Sequence, residues 1–233
     1  MVNSEDYPGF FVVFEGPDGG GKTTQSQRLL AHLQELEYDV IRTREPGGTP
    51  LAELIRDVVL ADLTYGHVSP RVEALLLTAA RSQHVDDVIR PSLDAGKIVL
   101  CDRFKHSTIA YQGGGSGLNI DELMVLNQFA TQGLDPDLVI LLDVDSQIGL
   151  RRKIGLGDGR DGPTNKMELR GVEFHGRVRD QFKLMAKAAP DRWLVIDGEG
   201  SVDEISDTIS QRVAEGIELK SIIPAQGATG RLL

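Results

Sequence analysis

Residues 16–23 read GPDGGGKT, and the spacing G-x-x-x-x-G-K-T is complete from Gly16 through Gly21 and Lys22 to Thr23. No other stretch constrains the fold as much, because such a loop requires a buried strand before it and a helix after it. Its glycines let backbone N–H groups turn inward, where they meet the positive end of the following helix, so a polyphosphate finds donors and a favourable dipole together. Lys22 adds a point charge and Thr23 a hydroxyl suited to Mg²⁺. The flanks satisfy the requirement. GFFVVFE (9–15) is a short β-branched and aromatic run, and TTQSQRLLAHLQEL (23–36) spaces Leu29, Leu30, Leu33 and Leu36 as one helical face. A glycine turn that binds nothing is the alternative, and these flanks count against it. The phosphate-binding set is therefore Gly16, Pro17, Asp18, Gly19, Gly20, Gly21, Lys22, Thr23 and Thr24.

Four more apolar runs follow: YDVIRT, KIVLCD, DLVILLDV and RWLVID. Each leads to a helix-like segment or to a loop before one, which indicates an α/β fold with a parallel sheet between helices. Helices are expected at 50–62, 70–89, 120–133 and 201–217, with Pro91 ending or kinking the second. The chain divides into an extension at 1–9, one domain at 10–217, and a flexible tail at 218–233.

With 233 residues, 40% of them hydrophobic, the chain buries a full core. Its formal net charge of −10 argues against a nucleic-acid or anionic-membrane surface, since both need a basic stripe. Positive charge should instead be gathered at a site for small anions. The lone Cys101 has no intramolecular disulfide partner, and the start lacks a basic region followed by an apolar stretch. The expectation is a cytoplasmic protein that binds neither nucleic acid nor membrane.

Asp102 and Arg103 close an apolar strand, where open α/β sheets bind ligands. An Asp there can hold water on Mg²⁺ and an Arg can grip a phosphate, although a surface ion pair is the plainer reading. From Arg151 the chain becomes rich in glycine and basic residues, and it returns to a helix near FHGRVRDQF. We read a lid at about 151–172 that closes over the phosphate loop, against the alternative of a solvated connection.

FEGPDGGGKTTQ, TREPGGTPLAELIR, LLLTAARSQH, CDRFKHSTIAYQGG, PDLVILLDV and FHGRVRDQF occur in this order across residues 10–213. This set resembles the thymidylate kinase family, phosphate-loop enzymes that transfer a phosphoryl group from ATP to dTMP for dTTP biosynthesis. The resemblance implies a five-stranded parallel sheet in three layers, ATP and Mg²⁺ as cofactors, dTMP as acceptor, and a homodimer. It implies Thr23 and Asp102 as metal residues, and Lys22 and Arg103 as catalytic ones. Asp18 then meets the acceptor sugar 3′-hydroxyl, Arg56 and Arg103 grip its phosphate, and Arg81, Thr108 and Gln112 read the pyrimidine edge. Tyr111 packs on the sugar and disfavours a 2′-hydroxyl, while Glu45 and Pro46 line the same pocket.

Two positions depart from the family pattern. Leu77 stands where a Phe commonly stacks on the base, so it offers apolar contact only and reads first as helix core. Lys166 stands where the lid commonly supplies a catalytic arginine, and lysine lacks the planar fork. Arg160 is favoured in its place, with Arg152 as the other choice, placed with the ATP-binding residues. These departures leave two other readings open: a kinase for another nucleoside monophosphate, and a nucleotide-binding protein that has lost transfer chemistry.

Overall fold

The computed structural model describes residues 7–60, 68–155 and 170–225. Five strands form one parallel sheet: β1 (Phe10–Glu15), β2 (Val40–Arg44), β3 (Ile98–Asp102), β4 (Leu138–Asp143) and β5 (Trp193–Asp197), in the order β2-β3-β1-β4-β5. All five apolar runs of the sequence are strands. β1 lies at the centre with every residue buried.

The strand period of two assigns the side chains to two layers. Phe10, Val12 and Phe14 of β1 join Ile98, Leu100, Leu138 and Ile140 on one face, beneath α1 (Lys22–Glu35) and α9 (Val202–Leu219). Phe11, Val13, Val99 and Cys101 turn to the other face, beneath the long helical run that begins with α3 (Pro70–His84). Each large side chain so buried contributes about 1.5–3 kcal/mol. Between β4 and β5, α7 (Ser146–Gly155) and α8 (Gly171–Ala188) complete the second face.

The expected helices exist, with shifted ends. Pro91 does not end the helical run, which continues to Asp94. A π turn at Val85–Ile89 precedes α4 (Arg90–Asp94), which places Pro91 in a first turn, where its missing N–H costs nothing. Helices at α2 (Pro50–Leu60) and α6 (Ile120–Thr131) match the pattern, and Ser201 caps α9 through Glu204 N at 3.3 Å. A helix the pattern did not reveal, α5 (Lys105–Thr108), runs into a second π turn at Ile109–Gly115.

The expected boundaries also move. Helix α7 still includes Arg151 and Arg152, so the lid as bounded begins inside a helix; Arg160 and Lys166 lie outside the described residues. The tail expected from 218 is packed as far as Ala225: α9 extends to Leu219, Ile222 packs on the core, and Ala225 N donates to Glu37 O at 2.8 Å. Tyr7, assigned to the extension, is buried, and its hydroxyl donates to Asp135 O at 2.9 Å. Among the described residues no helix is long and apolar enough to cross a membrane.

Candidate active site

Parallel strands bring their C-terminal ends to one edge, and there a cavity of about 970 Å³ opens. Its wall includes the phosphate loop, Asp102 and Arg103 after β3, Arg56 and Leu60 of α2, Leu77 and Arg81 of α3, and Arg152 of α7. All the predicted residues within the described chain line it except Gly16 and Pro17, which lie behind and act through their carbonyls.

Glycine is required at two points of the loop. A Cβ at Gly16, whose φ is +134°, would stand 2.4 Å from Leu142 O, and one at Gly19 (φ +74°) would stand 2.1 Å from Gly149 O. The loop is therefore wedged between β4 and α7, and its backbone can follow no other path. Gly21 in the left-handed region leads into α1, so the first helical N–H groups face the cavity.

Lys22 is buried at the start of α1. Its Nζ donates to Gly16 O at 3.1 Å and Pro17 O at 2.8 Å, using two of its three donors. Burial, with the Arg103 guanidinium nearby, pushes its pKa down to about 8. Beside it the Thr23 hydroxyl donates to Asp102 Oδ2 at 2.8 Å. This hydroxyl and carboxylate pair at the cavity wall is the oxygen chemistry Mg²⁺ takes, in a site that leaves positions for phosphate oxygens and water.

Arg103 has φ +71° and is stacked on Tyr111, with its guanidinium 5.0 Å from the ring centre. One terminal nitrogen donates to Gly16 O at 3.1 Å and Ser107 Oγ at 3.0 Å, and the other to Asp18 Oδ1 at 2.7 Å and Tyr111 Oη at 3.1 Å. Burial opposes its charge, yet Tyr111, Asp18, Glu15 and Asp102 outweigh that, and its pKa is raised. Arg56 donates to Pro46 O at 2.9 Å; burial and the nearby Arg44 lower its pKa. Two guanidiniums that repel each other at one wall define a place for an anion between them.

Arg81 is held from four sides. It donates to Glu45 Oε2 (2.7 Å), Thr108 Oγ1 (2.9 Å), Asn127 Oδ1 (2.6 Å) and Phe104 O (3.2 Å), which leaves one of its five N–H groups for the cavity. Glu45 is thus less a wall than a clamp, since its other oxygen meets His84 Nδ1 at 3.2 Å. Leu77 is not core as first read. It is half-buried on the cavity wall.

Sequence reasoning missed three parts of the site. Glu15 is fully buried behind it and accepts from Phe104 N (3.0 Å), Ser107 N (3.1 Å) and Ser107 Oγ (2.7 Å), fixing the turn that carries Arg103. Burial pushes its pKa up to about 7. The loop after β5 adds Gly198 and Gly200 to the wall, the start of α9 adds Val202 and Ile205, and Arg152 donates to Gly198 O at 2.7 Å. Its place at a strand's C-terminal end was the available signal. Glu73 and Arg170, which lie behind Gln112, carried no such signal.

A five-stranded parallel sheet with a phosphate loop at its central strand and an arginine-lined cavity across it defines a phosphate-loop protein of the nucleoside monophosphate kinase type. Residues 14–209 match the family model described as thymidylate kinase. The thymidylate kinase of Pelobacter propionicus is 45% identical over 208 residues, 89% of this chain and 94% of that protein. That of Geotalea uraniireducens is 44% identical and covered throughout its length, against 89% of this chain. A crystal structure of thymidylate kinase from Ehrlichia chaffeensis superposes with a TM-score of 0.71 at 34% identity, covering 88% of this chain and 98% of that one. The chain belongs to the thymidylate kinase family.

Proposed function

We propose that this chain transfers the terminal phosphoryl group of ATP to dTMP, giving dTDP and ADP. The observation that carries this reading is the joining, in one cavity, of a phosphate loop to a pair of arginines and a polar pocket anchored on Arg81. A bare nucleotide switch has no use for the second half of that cavity.

The loop amides and Lys22 hold the ATP phosphates, while Arg152 and the loop after β5 wall the nucleoside end. Thr23 and Asp102 would hold Mg²⁺, which supplies charge neutralisation on the phosphates when bound. Arg56 and Arg103 orient the acceptor phosphate in line. Asp18, already fixed by Arg103 and Tyr111, presents carboxylate oxygen to the sugar 3′-hydroxyl. The acceptor phosphate is itself a nucleophile at neutral pH, so alignment and charge neutralisation are the protein's work, and no general base is needed.

An assay of ADP release with ATP, Mg²⁺ and a panel of acceptors tests this. We expect dTMP to be preferred over dUMP, dCMP, dGMP and UMP, with no turnover when the acceptor is omitted. Equal rates with and without acceptor would replace the kinase reading with a nucleotide-binding one.

Helices α2, α3 and α6 form an outward apolar face: Leu54, Leu75, Met124, Val125 and Phe129 are all exposed, Phe129 at 83%. A patch of that kind marks an interface. We assign it to a second copy of the chain, and because α3 carries Leu77 and Arg81, pairing would also stiffen the acceptor pocket. Light scattering at micromolar concentration should give twice 25.4 kDa. Phe129→Glu should halve that mass, and a wild-type monomer at the same concentration would refute the assignment.

A further inference from the structure

Gln112 lies on the second π turn and is buried at the cavity wall. Its Nε2 donates to Glu73 Oε2 at 3.5 Å, and its Oε1 is buried with no hydrogen-bond partner among the described residues. A buried acceptor of this kind calls for a donor, and here it borders the pocket assigned to the acceptor base.

The orientation of the amide is not free. Glu73 on α3 is fully buried and ion-paired, so its carboxylate accepts only, and the amide must turn its NH₂ toward it and its oxygen away. The ion-pair partner is Arg170, immediately before α8, at 2.5 Å. Arg170 is itself fixed, donating to Ser116 Oγ at 2.8 Å and lying over the Phe174 ring at 5.0 Å. A continuous chain of contacts thus runs from the start of α8, through α3, to the Gln112 amide.

We propose that Arg170 and Glu73 are positioning residues that lock Gln112 with Oε1 as an acceptor, and that this sets base specificity. The base selected is one with a ring N–H between two carbonyls, the imide edge shared by thymine and uracil. Cytosine presents a ring acceptor there, which would face the Gln112 oxygen with no proton between them. The proposal rests on the reading that the acceptor base lies against Arg81, Thr108 and Gln112.

The test measures kcat and KM for dTMP and dCMP, and KM for ATP, in wild type, Glu73→Gln, Arg170→Met and Gln112→Ala. Glu73→Gln offers the amide either orientation, and the ratio of kcat/KM for dTMP over dCMP should fall about tenfold, mainly through a higher KM for dTMP. Arg170→Met, at a partly exposed position, should lower the same ratio about threefold, with KM for ATP unmoved. If Gln112→Ala lowers the ratio while the other two variants leave it intact, the positioning role is overturned and the base-pocket reading stands. If Gln112→Ala leaves the ratio intact, the base-pocket reading fails and takes the proposal with it. Equal losses on both acceptors together with a lower melting temperature would show that Arg170 and Glu73 serve stability alone, and would overturn the proposal as well.

Discussion

Lys22→Ala is expected to lower kcat about a thousandfold, the order found when a preorganised donor to developing charge is removed. The side chain is placed for that role by its surroundings: two carbonyls of its own loop fix Nζ, and one N–H remains for a phosphoryl oxygen. The loop amides remain in the variant, so the fall in ATP affinity should be smaller than the fall in turnover. Single-turnover ADP formation measures the chemical step directly, and a rate within tenfold of wild type would remove Lys22 from the mechanism. The wild type carries a matching signature in pH. A lysine whose pKa burial has brought to about 8 is cationic below that value and neutral above it. Since kcat/KM reports the free enzyme, its value for ATP should drop about tenfold per pH unit above that point. Bound phosphates favour the charged form, so kcat at saturating ATP should hold to higher pH.

How far the sequence disclosed this site follows from where its information is local. The phosphate loop and β1 are legible because their signal is local, an apolar run followed by the G-x-x-x-x-G-K-T spacing, even though the backbone that confines those glycines belongs to β4 and α7. The second π turn was not legible. Gly113, Gly114 and Gly115 carry no helical signal, yet a Cβ at Gly115 would meet the Phe174 ring at 2.5 Å, so these glycines serve close helix packing. Pro91 misled for a related reason, since a proline stop is a local rule and the preceding π turn is a tertiary accommodation. Glu15 looks in sequence like the solvated end of a strand. It is a buried carboxylate only because the turn at 103–107 folds over it, a contact about 90 residues away. Glu73 and Arg170 are likewise ordinary helix charges until α3 and α8 meet. The family resemblance named residues that the fold gathers on one cavity wall; the residues that hold them in place came from the fold.

Arg103→Lys is the sharper test of the acceptor half of the site. The substitution keeps a positive charge and removes the planar fork, so the comparison isolates geometry from electrostatics. Arg103 uses both terminal nitrogens on Gly16, Ser107, Asp18 and Tyr111, and its backbone sits in the left-handed region, held by Glu15 through Phe104 and Ser107. A lysine ammonium has three donors at a single point and cannot span these partners while also orienting a phosphate. We expect kcat/KM for dTMP to fall about a hundredfold, a loss of roughly 2.7 kcal/mol in transition-state stabilisation. KM for ATP should change less than about threefold, because Lys22 and the loop amides are untouched. Asp18 would lose its 2.7 Å partner and with it the orientation needed for the 3′-hydroxyl, so the preference for a 3′-hydroxyl over a 3′-deoxy acceptor should weaken in the same variant. Steady-state kinetics with dTMP and its 3′-deoxy analogue measures both effects at once. Full activity in Arg103→Lys would mean that charge alone suffices at this position and that Arg56 does the aligning.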